Sequence, residues 1–370
     1  MIDKQLLDLY SDYLISSFRL TTATGLSAMV DNAYSHDKIT RFLGQPIYSQ
    51  RAYWSIVKPV IRQIENKEGL VIIDDTIEEK PYTDENDIVC YHYDHTSKQM
   101  VKGINIINFL YHSQLADGQE VSIPVAFEIV AKTEEYLDKK SNKTKRKSKI
   151  TKNEMVRDRL KILVFSNQIK FKYVLWDSWF SAKENMNLVK EELQKDFVAA
   201  IKSNRTVALS QADKLAGKFV PVSELELKPG TSRLVYLKGI EFPLCLVKRL
   251  FINKDGSTGL LYLVSSDTSL TYFDITTIYE KRWSVETFHQ SLKQNAALEK
   301  SPTKTVRTQS NHIFASMVAF IKLEQLKFPT CSNHFALKNK LYIKAIKTAF
   351  AELASVKELQ DGYSFSFSFA

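Results

Sequence analysis

A chain of 370 residues, 44% hydrophobic and 25% charged, is long enough for two or three domains and a sizeable core, and its balance excludes a low-complexity or membrane-embedded protein. Asp3, Lys4, Asp8 and Asp12 interrupt the opening apolar residues and no apolar run approaches ~18 residues, so neither a signal peptide nor a membrane span is expected and the cytosol is the expected compartment. Cys90, Cys245 and Cys331 lie too far apart for a zinc ribbon or redox pair, and the net charge of +9 points to a polyanion partner.

Residues 1–68 read as helical. Leu6, Tyr10, Leu14 and Phe18 recur at turn spacing, and Ser49 is placed to cap a helix carrying Trp54, Val57, Ile61 and Ile64, with Pro59 a candidate kink. This segment is the expected DNA-binding one, although no recognition helix stands out. At Gly69 the texture changes. Val71-Ile72-Ile73 runs straight into Asp74-Asp75-Thr76, the pattern of a buried strand that delivers carboxylates to a sheet edge. Strands from Ile104 to His112 and Val121 to Val130 follow, on either side of the turn Ala116-Asp117-Gly118-Gln119. From Lys139 to Lys152 eight of fourteen residues are basic, which reads as a loop that binds DNA or, alternatively, as a solvated one.

A helix is expected from Glu154 to Phe165. Then Tyr173-Val174-Leu175-Trp176 ends on Asp177, a helix covers Ala182 to Leu193, and Phe197 to Ile201 makes a further strand. Strand, strand, strand, helix, strand, helix, strand is the order of an α/β RNase H-like mixed sheet. Residues 205–265 carry short strand candidates (Leu234 to Tyr236, Phe242 to Val247, Leu250 to Ile252, Leu260 to Val264) punctuated by Pro229-Gly230 and Asp255-Gly256, and read as an all-β insertion. The expected organisation is a helical segment at 1–68, a catalytic domain at 69–204 plus 266–300, the insertion at 205–265, and a helical segment at 301–370. The tail from Tyr363 to Phe369 alternates with period two, as either an edge strand or a frayed end.

Two strand-end carboxylates suit Mg²⁺ or Mn²⁺, but aspartate also ends strands simply by starting a turn. The stronger signal is Tyr279, Arg282, Glu286 and Lys293. Steps of three, four and seven residues put them on one face of a single helix. A carboxylate, two cations and a phenol together suit a metal site beside phosphates, whereas a solvated helix with charge pairs would call for no particular tyrosine.

Tyr-x₂-Arg-x₃-Glu-x₆-Lys at 279–293 resembles the Y-R-E-K signature of DDE transposases from bacterial insertion sequences. Ile73-Asp74-Asp75-Thr76 and Asp177-Ser178-Trp179-Phe180 are similar to that family's first and second aspartate motifs, so the resemblance covers Val71 to Lys293. It implies an RNase H-like catalytic domain with a β insertion. Asp74 or Asp75, Asp177 and Glu286 would hold two Mg²⁺ ions, with Mn²⁺ as a substitute. The implied reaction is cleavage at the terminal inverted repeats and strand transfer into target DNA, by a homodimer in a synaptic complex, in the cytoplasm of a bacterium. Adjacent strand residues face opposite sides, so only one of Asp74 and Asp75 can enter the site; the family's habit of Asp, any residue, then Thr or Ser implies Asp74, through Thr76, with Asp75 the rival.

Phosphate contacts are expected from Tyr279, Arg282, Lys293, Lys102, Lys145, Arg146 and Lys147. Trp283 contacts an unstacked end base or belongs to the core. Some relatives trap a flipped base on a tryptophan of the insertion, but this chain has none between Ser203 and Ser266, which leaves Tyr236, Phe242 or Tyr262 for that role. His92, Asp94 and His95 form a structural network or, less simply, a zinc site. The competing functions are a nuclease without strand transfer, against which the 108 residues between Asp177 and Glu286 argue, and a catalytically inactive, transposase-derived DNA-binding protein.

Overall fold

The structure, a computed structural model, describes residues 2–94, 97–139, 142–228, 230–252 and 256–360. His95, Asp255, Pro229 and the tail from Tyr363 lie outside them. Contacts divide the chain into two units: Met1–Gly44 with Ser291–Thr303 and His312–Ala370, and Gln45–Gln290 with Lys304–Asn311.

The first unit is helical. Helices α1 (Lys4–Ser16), α2 (Ala23–Met29) and α3 (His36–Leu43) are each opened by a side-chain cap, from Asp3, Thr22 and Ser35, that satisfies a backbone N–H with no partner inside the helix. Leu6, Tyr10 and Leu14 are buried as their spacing requires, while Phe18 falls past the end of α1 and is 36% exposed. The Tyr10 hydroxyl meets His312 Nδ1 at 3.0 Å, and His312 Nε2 lies 3.0 Å from the Ala297 carbonyl. Buried polar groups are thereby paired rather than left to cost stability.

The second unit is built on a mixed sheet, with eleven strands among the described residues. They are β1 (Leu70–Glu79), β2 (Cys90–Asp94), β3 (Gln99–Gln114), β4 (Glu120–Ile129), β7 (Tyr173–Trp176), β8 (Asp196–Ile201), β9 (Thr206–Ala208), β10 (Val220–Pro221), β11 (Ser232–Leu237), β12 (Leu244–Ile252) and β13 (Thr258–Ser265); β5 (Glu134–Asp138) and β6 (Lys143–Lys147) form a separate hairpin. The path runs β10-β9-β11-β12-β13-β8-β7-β1-β3-β2, with β4 on β3. Strand β1 pairs antiparallel with β3 and parallel with β7, and β7 pairs parallel with β8. A large mixed sheet with helices at both ends of the chain is the α/β class expected.

Val71, Ile72 and Ile73 are fully buried, as a run apolar on both faces must be. Helix α4 (Gln50–Ile64) starts at the Ser49 cap, runs through Pro59, and lies on β4, where the buried Tyr53 hydroxyl donates to the Pro124 carbonyl at 2.7 Å. Helix α5 (Lys152–Lys161) opens with a capping box from Thr151 and Glu154 and finishes in a π-helical turn, as does α6 (Lys183–Asn187). The turn after β3 forms as expected: Asp117 Oδ1 accepts from Gln119 N and Gly118 takes a φ of 85°, which glycine adopts without a Cβ penalty.

The strands of 205–265 continue the central sheet, since β13 pairs with β8 over Tyr262–Ser265, and the segment expected to be all-β also holds a five-residue helix, α7 (Gln211–Leu215). The basic run is not all loop: its residues 143–147 form β6, paired with β5, and Lys152 opens α5. Strand β6 alternates with the acidic β5, so Arg146 meets Glu135 at 3.0 Å, Lys147 meets Glu134 at 3.4 Å, and Lys145 pairs with Asp138.

Candidate metal centre

The parallel register of β1 and β7 runs from Leu70 opposite Tyr173 to Ile73 opposite Trp176. One residue further along both chains stand Asp74 and Asp177. The two aspartates read from the sequence thus leave the sheet at the same level of neighbouring strands, held there by Trp176, which is fully buried and stacks on Phe197 at 5.4 Å. Asp177 then opens a tight turn: its Oδ1 accepts from Trp179 N at 2.9 Å and Phe180 N at 3.4 Å.

Helices α8 (Tyr272–Glu280) and α9 (Trp283–Gln294) bring up the remaining groups. The single helix expected across Tyr279 to Lys293 is broken at Lys281 and Arg282, whose residues form a turn. Tyr279 therefore ends one helix and Glu286 lies in the first turn of the next. Arg282 at the joint reaches both carboxylates, with Nη1 2.9 Å from Asp74 Oδ2 and Nη2 3.3 Å from Glu286 Oε1. Lys293, in the last turn of α9, falls in the first unit and lies 3.1 Å from Glu299.

Asp74 and Asp75 face different partners. On the side of Asp74, ligand atoms of Asp74, Glu286 and His289 all lie within 4.8 Å of one another. On the other side, Asp75 Oδ2 accepts from Lys152 Nζ at 2.8 Å and from the Asn105 amide. The alternation of strand side chains separates the two carboxylates, and only Asp74 shares a cluster with Glu286. His289 was not singled out in the sequence. The available signal was its spacing of three from Glu286, which places both on one helix face.

Electrostatics mark the same place. Burial pushes Asp74 up to about 7; Arg282 opposes this, while Asp177, Glu286 and Asp75 add to it. Burial also raises Asp177, against the backbone N–H groups of its turn and Arg282. Burial alone would lower Arg282, but Tyr279, Asp74, Glu286 and Asp177 outweigh it and hold its charge more firmly. Tyr279, itself buried, is pushed up to about 12 and stays a neutral phenol. Carboxylates crowded until one resists ionisation form a donor set that a divalent cation relieves, so the residues present fit a hard or borderline metal ion.

The other candidates are spread more widely. Trp283 is 66% exposed and Trp179 45%, each with a cation over its ring, Arg282 at 6.0 Å and Lys152 at 5.7 Å. Lys102 is half-buried in β3, beside Gly103. Tyr262 is buried, Tyr236 is half-buried near Lys214, and Phe242 sets an edge against Phe197. His92 is buried and its pKa is lowered to about 3 by desolvation, with Lys132 and Lys152 adding to the effect; among the described residues it joins no metal-ligating group.

A large mixed sheet with strand-end aspartates at matched register and helices at both ends of the chain is consistent with the RNase H-like fold of transposases. The chain belongs to the DDE transposase family described as "Archaeal putative transposase ISC1217", whose model matches residues 21–332. No curated protein matches the chain. Family membership carries DNA transposition as the activity in outline, with divalent-metal use and DNA as partner, and no described helix is long and apolar enough to cross a membrane.

Proposed function

We propose that this protein cleaves the ends of an insertion sequence and joins the freed 3′-hydroxyls to target DNA at one metal site, with Asp74, Asp177 and Glu286 as its acidic ligands. The matched register of Asp74 and Asp177 beneath Glu286 is the observation that carries this reading. Bound in pairs, divalent ions supply charge neutralisation at the attacking and leaving oxygens of an in-line phosphoryl transfer. Phosphoryl transfer asks little covalent chemistry of the protein and much positioning.

The chain's own groups fit that demand. Asp74 and Asp177 are fixed by paired strands, so their separation is set by the sheet. Asp75 would stand behind Asp74 as a positioning group, tied to Lys152. Arg282, a planar fork already between two carboxylates, suits a phosphodiester better than a lysine there would, and the neutral phenol of Tyr279 can donate to a phosphate oxygen. Lys293, Lys102, Lys145, Arg146 and Lys147 would add point charges along the duplex, and Trp283 a stacking face for an end base. Two ends held together call for two copies of the chain, so a homodimer on DNA is part of the proposal.

The test is cleavage of a labelled duplex bearing the element's terminal repeat, with Mg²⁺ or Mn²⁺, by the wild type and by Asp177→Ala. Metal-dependent cutting at the repeat end and a strand-transfer product, both lost in the variant, are expected. Cutting without strand transfer would make the protein a nuclease, and salt-sensitive binding without cutting would make it an inactive DNA-binding descendant.

A further inference from the structure

We propose that a ring nitrogen of His289 is a third protein ligand beside Asp74 and Glu286, so that this position is a mixed carboxylate and imidazole site that takes Mn²⁺ in preference to Mg²⁺. The inference rests on the metal-site reading above and specifies its chemistry.

Three observations carry it. Glu286 and His289 are three residues apart within α9, a spacing that aims a carboxylate and an imidazole at one point from a single helix face. Ligand atoms of Asp74, Glu286 and His289 lie within 4.8 Å of one another. Asn108 opposes Asp74 directly across β1 and β3 and is fully buried. Its amide lies 3.0 Å from His289 Nε2; with Nδ2 as the donor in this pair, Nε2 presents a lone pair. That is the form of imidazole a metal takes. The same amide lies 3.3 Å from the Ile106 carbonyl and so keeps an acceptor if Nε2 turns to a cation. Among the described residues Asn108 Oδ1 has no hydrogen-bond partner, an unusual state for a fully buried polar atom beside the cluster.

A nitrogen donor changes which ion is favoured. Mg²⁺ prefers oxygen ligands in near-ideal octahedral geometry and keeps its water. First-row transition ions accept imidazole readily, and Mn²⁺ is the member of that series that also suits carboxylates.

The experiment is pulsed EPR of Mn²⁺ bound to the full chain without DNA, together with Mn²⁺ and Mg²⁺ affinities by titration, for the wild type, His289→Gln, Asp74→Asn and Glu286→Gln. Directly coordinated ¹⁴N should modulate the wild-type echo, and ¹⁵N-histidine labelling should replace that pattern. In His289→Gln the modulation should vanish, with Mn²⁺ binding weaker by about tenfold or more and Mg²⁺ binding changed by less than about threefold. The wild-type spectrum decides the question even if a variant folds poorly. Mn²⁺ that depends on Asp74 but shows no nitrogen coupling would overturn the proposal and leave the carboxylate site standing, with His289 a buried residue of the helix. Absence of Mn²⁺ binding, or binding indifferent to Asp74→Asn and Glu286→Gln, would overturn both.

Discussion

Arg282 holds Asp74 and Glu286 at once, at 2.9 and 3.3 Å from its two terminal nitrogens, from a two-residue turn between helices. The arrangement occupies with a guanidinium the space between carboxylates that a divalent cation would otherwise neutralise. Removing the arginine leaves two acids facing each other with Asp177 beside them. Arg282→Gln should therefore lower the stability of the metal-free protein by about 1–3 kcal/mol, since one partner of a largely buried charge network is lost. Urea unfolding with and without Mg²⁺ checks this, and a variant no less stable than wild type in the absence of metal would refute the neutralising role.

The sign of the pH effect follows from Asp74. Its folded pKa of about 7, raised chiefly by burial from 3.8, means that the folded state binds a proton that the unfolded state has released. Stability of the metal-free protein should then fall as pH rises from about 4 through 7. Asp74→Asn removes the penalty. It should leave stability unchanged near pH 4 and raise it at pH 8 by up to about 4 kcal/mol, read as a higher Tm, while transposition is lost. A variant less stable than wild type at pH 8 would show that the arginine contact outweighs burial.

Much of this centre was legible in the sequence because its parts are local. An apolar run ending on an acid predicts a strand that delivers a carboxylate, and both Asp74 and Asp177 stand at such ends. What was not legible depends on packing between distant segments. The choice between Asp74 and Asp75 follows from which face of β1 receives α9 and which receives α5, and no spacing within Ile73–Thr76 encodes it. The break at Lys281 and Arg282 carries no glycine or proline to announce it. His289 is silent for a related reason, since its buried partner Asn108 lies on a strand 181 residues away. The β5–β6 hairpin was not legible because its basic strand reads as a run of charge without apolar alternation, and its acidic partner strand at Glu134–Asp138 stands out only once the two are paired.

Of the proposed ligands Glu286 is the one delivered by a helix and not by the sheet, so its amide variant should disturb the scaffold least. Glu286→Gln is expected to bind terminal-repeat DNA within about twofold of wild type, because the phosphate contacts that supply affinity are made elsewhere, and to lose cleavage by at least about a hundredfold. Gel-shift and cleavage assays on one duplex separate the two effects. Normal cutting by this variant would remove Glu286 from the metal site.

Gly103 is a prediction about the scaffold itself. A Cβ at this position would lie 2.2 Å from the Glu78 carbonyl oxygen, and Glu78 and Lys80 form a buried ion pair at 2.6 Å in the neighbouring segment. Backbone cannot yield as a flexible side chain does. Gly103→Ala should cost about 2–4 kcal/mol by forcing β1 and β3 apart next to the carboxylates. Thermal melts measure the cost, and a neutral result would mean that the β1–β3 register can relax at no expense.

The β5–β6 hairpin offers a quantitative test of its role on DNA. Were Lys145, Arg146 and Lys147 free cations, neutralising three phosphates, their joint replacement by glutamine would reduce the slope of log K against log salt by about 2.7. They are paired instead with Asp138, Glu135, Asp87 and Glu134, so each would have to exchange a carboxylate for a phosphate and would release fewer counterions in doing so. The expected reduction is about one or less. Replacing Glu134 and Glu135 with glutamine should then strengthen duplex binding and steepen the slope, by freeing Lys147 from Glu134 and leaving Arg146 with Asp87 alone. A triple variant that lost the full slope would show that the hairpin opens its ion pairs completely on DNA, whereas an unchanged slope in both variants would take the hairpin out of the DNA interface.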